Sequence, residues 1–392
     1  MNNSVLYVGA FDLPDKNAAA LRVIGIAKLF EKANYVVSFL GMQYNSHLNF
    51  TEIRKIENTN NSLFWHTGKP KSLIEFFYYS TSIKHIQKFI FKDLKEKPKL
   101  IILYDYPALA TLNLYFFCKK NKIKLISDCS EWYKPHGKMF FWLFKLFDIQ
   151  LRMRFLLHRL DGIIVISKYL FNYYQKRIDP IVIIPPVVDC GEMKWRYNNS
   201  KTRDYVQLIY AGSPGQGDKD IFNNLILALE IVIKENRKVK LQIVGITENE
   251  FYETKNSITI PETIKGNIEF LGRVSHLKSL NLISESDFSI FVRKNNVVTK
   301  AGFPTKFVES ITCGTPLLTN KSSNLDDFLI EGKNGYWLII DSPNSLAKSL
   351  IYAVNTSREK INEMKKYCSN SNLFHYEKFE IPFKNFIKTI IT

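Results

Sequence analysis

The sequence has no two cysteines spaced as a metal or redox pair. Its five, Cys118, Cys129, Cys190, Cys313 and Cys368, are scattered and odd in number. That excludes a C-x-x-C motif and a fully paired disulfide framework, and it reads as reduced thiols in a cytoplasmic setting. No apolar run reaches the length of a membrane span. A secretory leader is not expected either, because Met1 to Ser4 is polar and the run Val5 to Phe11 is short and lacks a basic lead. The opening strand is followed by no G-x-G-x-x-G; Gly9 stands alone, so no dinucleotide cofactor is expected. Acid is scarce as well: 54 Lys and Arg face 37 Asp and Glu, a net charge of +17. Residues 1 to 190 hold 27 basic and 15 acidic groups, so the first half is the side expected to meet an anionic partner. An anionic lipid surface and a phosphorylated acceptor both fit; nucleic acid is set aside, since no recognition motif accompanies the charge.

What is present is enough apolar sequence for two cores. A chain of 392 residues, 46% hydrophobic, favours two domains over one. Val5 to Ala10 reads as a buried parallel strand leading to a helix over Ala18 to Lys32. Leu100 to Tyr104, Ile123 to Ser127, Gly162 to Ser167 and Ile181 to Ile184 continue the alternation of strand and helix. Glu192 to Asp204 is polar and reads as a linker. Val206 to Ala211, Leu241 to Val244, Ile268 to Leu271 and Phe288 to Val292 then open a second α/β series. The chain therefore divides into a domain over 1–190, a linker over 191–204, a domain over 205–375 and a last helix over 376–392. Two such series predict two facing Rossmann-like domains. Asp128 and Glu131, at the carboxyl end of Ile123 to Ser127, stand where open parallel sheets bind ligands, although acids at helix starts also serve as caps. His136 to Leu160 mixes Lys138, Lys145, Arg152, Arg154 and Arg159 with Trp, Phe and Leu, against Asp148 alone. It reads either as a membrane-surface helix or as a helix whose charged stems point outward from the sheet.

The most informative stretch is Lys300 to Leu318, KAGFPTKFVESITCGTPLL. Gly302, Phe303 and Pro304 lead into a short helix over Thr305 to Thr312, Gly314 closes it, and Leu317 and Leu318 begin a buried strand. A helix opening on a Gly/Pro loop presents backbone N–H groups and a positive dipole end to anions, and Lys306 adds a full charge there. Glu309 lies one turn on, where it either meets the same ligand or pairs with Lys306 on a solvated face. A second candidate phosphate loop follows Ala211: Gly212-Ser213-Pro214-Gly215-Gln216-Gly217-Asp218-Lys219-Asp220. Its Asp218-Lys219-Asp220 matches the short D-x-D of metal-dependent glycosyltransferases, but the intervening lysine disfavours a divalent cation, so no metal is expected.

Lys300 to Leu318 resembles the donor-site motif of retaining glycosyltransferase family 4, whose members have the two-domain GT-B fold. That pattern has two glutamates eight positions apart followed by a small residue, Gly and Pro. Glu309 matches the second glutamate, which the resemblance assigns to the nucleotide ribose, and Cys313-Gly314-Thr315-Pro316 matches the rest. The first glutamate, a donor-sugar contact in the family, is replaced by Ala301. The resemblance implies diphosphate binding by Lys219, with Ser213 where arginine is usual, and a C-terminal helix crossing back to the first domain. Asp128 to Tyr133 resembles the acceptor-side loop. Lys219 and Lys306, assisted by Arg293, are candidates to stabilise the departing diphosphate, with Gly212, Gly302, Phe303 and Thr305 lining the donor. The implied activity is metal-independent transfer, with retention, from a nucleotide diphosphate sugar to a lipid-linked or saccharide acceptor. The implied setting is cell-surface polysaccharide synthesis, with the enzyme cytoplasmic or peripheral at the inner face of the membrane. A catalytically silent nucleotide-sugar-binding partner of another transferase is the alternative, on account of Ala301.

Overall fold

In the computed structural model, residues 3–14, 17–43, 51–55, 63–68, 70, 72–135, 137, 139–196, 203–212, 219–235, 237–254 and 257–391 are described. Ser213 to Asp218 of the glycine-rich loop, Asn198 to Thr202 of the linker, and Lys138 lie outside the described residues. The chain forms two compact units. Unit 1 comprises Met1–Asp189, Ala301–Phe303 and His375–Thr392; unit 2 comprises Cys190–Lys300 and Pro304–Phe374.

Unit 1 is built on an eight-stranded sheet of β1 (Ser4–Gly9), β2 (Val36–Gln43), β3 (Thr51–Lys55), β4 (Leu63–Gly68), β5 (Leu100–Tyr104), β6 (Lys124–Cys129), β7 (Gly162–Val165) and β8 (Ile181–Ile183). The strand order is β3-β4-β2-β1-β5-β6-β7-β8, parallel except for β3 against β4. The inner strands β1 and β5 are apolar along nearly their whole length because helices cover both faces of such a sheet. The edge strand β3 and its neighbour β4 fall in the stretch from Gln43 to Lys97, whose mixed sequence pattern indicates no strand.

The C-terminal segment completes this unit. After a 3₁₀ turn, Tyr376–Phe379, the helix Glu380–Ile391 places Phe383, Phe386, Ile387 and Ile390 in the core of unit 1. Phe383 meets Phe30 of the helix Ala18–Lys32 edge-on, with ring centroids 4.7 Å apart. The helix Ala18–Lys32 begins where Asn17 caps it, the Asn17 side chain accepting from the Ala20 amide at 2.8 Å.

Unit 2 carries a six-stranded parallel sheet: β9 (Val206–Ala211), β10 (Val239–Val244), β11 (Ile268–Phe270), β12 (Phe288–Ile290), β13 (Leu317–Thr319) and β14 (Gly335–Trp337). Its order is β11-β10-β9-β12-β13-β14. Numbered within the unit, that is the 3-2-1-4-5-6 order of the doubly wound nucleotide-binding sheet, with the reversal between β9 and β12. The helix Thr305–Thr312 forms over the residues read for it, with Pro304 at its N-cap position.

Asp128, read from the sequence as a contact for an acceptor, has a different task. It is fully buried. Arg22 Nε donates to both its oxygens at 3.0 Å, Arg22 Nη2 reaches Oδ1 at 2.5 Å, and Tyr7 OH donates to Oδ2 at 2.5 Å. Both oxygens are thus engaged by the first strand and first helix, and the carboxylate joins β6 to them. Burial, followed by the Asp128 charge, pushes the Tyr7 hydroxyl well above its ordinary pKa, so Tyr7 stays a donor. Removing one partner of a buried ion pair leaves the other charge uncompensated. Arg22→Met should therefore cost about 3–5 kcal/mol, and Arg22→Met with Asp128→Leu should cost less than the single change, as measured by urea unfolding.

Candidate functional site

The strand order of unit 2 locates its ligand edge, because sheets of this order bind outside the carboxyl ends of the strands at the reversal. The segment leaving β9 passes through Gly212 and reaches Asp220; the segment leaving β12 supplies Arg293 and pairs with Asp220 in an isolated antiparallel bridge. The Lys294 amide donates to the Lys219 carbonyl at 3.0 Å, which fixes the backbone of Lys219 at the same edge. From the other side comes Lys306, in the first turn of the helix Thr305–Thr312.

These groups converge on the Asp220 carboxylate. Lys306 Nζ donates to Oδ2 at 2.7 Å, Arg293 Nε donates to Oδ1 at 3.3 Å, and Tyr210 OH donates to Oδ2 at 2.5 Å. The Lys306 ammonium also lies 3.8 Å from the centroid of the Tyr210 ring, within cation–π range. Gly212, at φ +147°, makes room for it: a Cβ there would lie 2.5 Å from Lys306 Cε. Asn320 holds the backbone of Arg293 from both sides, Oδ1 accepting from its amide at 2.7 Å and Nδ2 donating to its carbonyl at 3.0 Å.

Burial works to raise the Asp220 pKa, but Lys306, Arg293 and the hydrogen bonds from Lys306 and Tyr210 outweigh it and hold the carboxyl at about 2. Burial, and then Arg293, lower the Lys306 pKa, while Asp220 opposes them. Two cations share one carboxylate, so the trio carries a net +1. The arrangement suits an oxyanion with more than one oxygen to offer.

Glu309 does not pair with Lys306. Its Oε1 lies 3.2 Å from Nε2 of His276, the first residue of the helix His276–Glu285, capped by Ser275. The His276 ring stands edge-on to Trp195, with centroids 6.3 Å apart. The Glu309 carboxylate is thus oriented by His276 while still contributing its charge to the surroundings of Lys306. Gly302 and Phe303, grouped with unit 1, are buried, as is Ala301. Thr305 is half-buried at the start of its helix.

Sequence reasoning missed Asp220, Tyr210, Asn320 and His276. Asp220 had a signal, the second acid of Asp218-Lys219-Asp220, but the structure gives it two cationic side chains as partners. Among the described residues no group of three His, Cys, Asp or Glu side chains is placed to hold a metal ion.

In unit 1, Asp105 at the end of β5 meets Ser130 and Tyr133, which follow β6, and Arg152, which follows the helix Met139–Leu151. Asp105 has φ +43°. Its carboxylate accepts from Ser130 Oγ and from Tyr133 OH at 3.4 Å, and Arg152 Nη1 lies 3.5 Å away. Burial raises its pKa to about 6 against the opposing pull of Arg152 and Ser130, with the nearby Glu131 charge adding to the rise. Glu131 is half-buried beside it.

Residues 216–371 match the family described as glycosyl transferases group 1. Two uncharacterized glycosyltransferases of Methanocaldococcus jannaschii are similar in sequence. One is 22% identical over 338 residues, 83% of this chain and 76% of that protein; the other is 22% identical over 220 residues, 56% of each. Among solved structures, sucrose-phosphate synthase from Thermosynechococcus elongatus superposes with a TM-score of 0.70 at 13% identity, covering 99% of both chains. Anabaena HepE in complex with UDP gives 0.62 at 13% identity, over 98% of this chain and 100% of that one. The catalytic domain of starch synthase IV from Arabidopsis thaliana, bound to ADP and acarbose, gives 0.63 at 10% identity over 100% of both. At these identities the structural likeness establishes the fold, two Rossmann-like domains of the GT-B type. Together with the family match it supports a GT-B glycosyltransferase.

The depressed pKa of Asp220 has a sign that can be checked. A carboxyl at about 2 in the fold and 3.8 unfolded contributes stability that is fully present above pH 3.8 and lost as pH falls through about 2. Its size is on the order of 2 kcal/mol. Asp220→Asn should flatten the loss of stability in that acid window relative to the parent, in unfolding curves recorded across it.

Proposed function

We propose that the chain is a metal-independent, retaining glycosyltransferase of family 4 type. It takes a nucleotide diphosphate sugar as donor and a lipid-linked or saccharide acceptor, in cell-surface polysaccharide synthesis at the cytoplasmic face of the membrane. The observation that carries this reading is the convergence of Lys306 and Arg293 on Asp220 at the strand reversal of unit 2, beside the loop that holds Lys219. The matches to glycosyl transferases group 1 and to structures solved with UDP and ADP support it.

The chemistry follows from the charges. As the bond between sugar and diphosphate breaks, negative charge grows on the phosphate. Lys306 and Arg293 are already oriented by Asp220, so little reorganisation is needed when that charge appears. The helix Thr305–Thr312 adds its N-terminal dipole. Lys219 approaches from the glycine-rich loop, whose residue Ser213 takes the place of the usual arginine, and Gly212 lets the lysine stem of Lys306 pass. Positive side chains supply the neutralisation that a divalent ion provides elsewhere. Front-side attack, with the donor phosphate helping to take the acceptor proton, requires no protein base. Glu309, oriented by His276, holds the ribose hydroxyls. On the acceptor side, Glu131 and Asp105 are the acids at the strand ends of unit 1, Asp128 being committed to Arg22. The buried Ala301, where a sugar-binding glutamate is usual, motivates a second reading, a nucleotide-sugar-binding partner without turnover. Sugar transfer by the purified chain separates the two.

Ribose keeps its charge during the reaction, so Glu309→Ala should mainly raise donor KM. Lys306→Ala and Lys219→Ala should each lower kcat on the order of a hundredfold. Steady-state kinetics decides, and a change confined to KM in the lysine variants contradicts the assignment. Activity should also persist in chelator; complete loss with EDTA, restored by magnesium or manganese, would falsify metal independence.

A further inference from the structure

We propose that the face of unit 1 formed by the helices Leu73–Thr81 and Met139–Leu151 inserts into the headgroup region of an anionic lipid bilayer. The proposal rests on the membrane-side acceptor reading above and identifies the surface that reading needs. Both helices turn apolar side chains outward. On the first, Leu73 is 70% exposed, Ile74 83% and Phe77 59%, at spacings that share one helical face. On the second, Met139, Leu143 and Phe147 are 81%, 54% and 57% exposed, again a single stripe, with Trp142 partly open beside them. The two stripes are joined, because Phe76 packs on Phe141 and Phe144 with centroids 4.9 and 5.9 Å apart, and Phe77 also meets Phe144. A continuous apolar face of this extent marks an interaction surface.

The charges around it select the partner. Asp148, the one acid of the second helix, is turned inward and accepts from the Ala108 amide at 2.7 Å. Arg154 and Arg159, which follow that helix, are exposed, and Lys145 lays its stem along the patch with Nζ 4.5 Å from the Phe141 centroid. Aromatic and aliphatic side chains flanked by cations suit a surface with apolar depth and anionic headgroups. An isologous contact with a second copy brings these cations toward their own kind. Arg152, grouped by sequence with the membrane-facing cations, is not one of them: it is buried against Asp105. No described helix is long and apolar enough to cross a membrane, so the contact is one of insertion from the side.

The test is co-sedimentation of the full chain with vesicles of equimolar phosphatidylglycerol and phosphatidylcholine, and with phosphatidylcholine alone, at low and physiological salt. The parent should pellet with the anionic vesicles and much less with the neutral ones. The variant Ile74→Ser, Phe77→Ser, Leu143→Ser, Phe147→Ser should bind at least about tenfold more weakly, and Arg154→Ser with Arg159→Ser should lose about fivefold per cation and most of the salt sensitivity. Because the replaced side chains are exposed, both variants should keep the parent's unfolding midpoint and its stabilisation by UDP or ADP. Unchanged vesicle binding by the apolar variant overturns the proposal. So does a parent that ignores vesicles and self-associates through this face. Nucleotide stabilisation is read separately from sedimentation, so loss of the first with retention of the second rejects the transferase reading while leaving this surface standing.

Discussion

Everything proposed for unit 2 depends on one buried carboxylate. Asp220 sits at the strand reversal with two cations and a phenol directed at it, and its side chain is only 10% exposed. Burying a lone charge in such a place is costly, and two adjacent cations repel each other. Combined, the three charges offset much of each other's desolvation and leave one positive charge at the edge where sheets of this strand order bind ligands. The geometry also fixes direction, because Lys306 is confined between the Tyr210 ring and the Cα of Gly212. A site so arranged has its donors oriented before any oxyanion arrives.

Unit 1 uses similar residues for two different ends. Asp128 with Arg22 and Tyr7 forms a buried cluster whose polar atoms are engaged by one another and by the Ile184 carbonyl, and this cluster ties β6 to the opening strand and helix. Asp105 with Arg152 is buried in a looser arrangement: the ion pair is 3.5 Å long, Arg152 Nε has no hydrogen-bond partner among the described residues, and the carboxyl is pushed up to about 6. A carboxyl raised in this way carries a burial penalty that is absent below pH 3.8, grows between 3.8 and about 6 and is complete above about 6. The contrast shows why an acid at a strand end is ambiguous from sequence: neighbours brought from far along the chain decide whether it is a strut or a reactive group.

Much of the fold was legible because its signals are local. The apolar strands Leu100–Tyr104 and Val206–Ala211 and the helices Ala18–Lys32 and Thr305–Thr312 form where the runs, caps and Gly/Pro breaks indicate. Local signals failed where the partner is distant. Lys306 and Glu309 are three residues apart on one helix, yet the first turns to Asp220, 86 positions away, and the second to His276, 33 positions away. The strands β3 and β4 went unread because their sequence lacks alternation and long apolar runs. Arg152 looked like its exposed neighbours Arg154 and Arg159, and only the position of Asp105 distinguishes it.

The central claim is that Lys306, held by Asp220, recognises the phosphate that leaves with the nucleotide. Calorimetric titration of UDP, UMP, ADP and AMP into the parent and Lys306→Ala tests it without any need for acceptor. The account predicts that the parent prefers the diphosphate of its nucleotide over the monophosphate, and that the variant loses this preference on the order of tenfold while its monophosphate affinity barely changes. Equal losses for both nucleotides, or an undiminished diphosphate preference in the variant, contradict it.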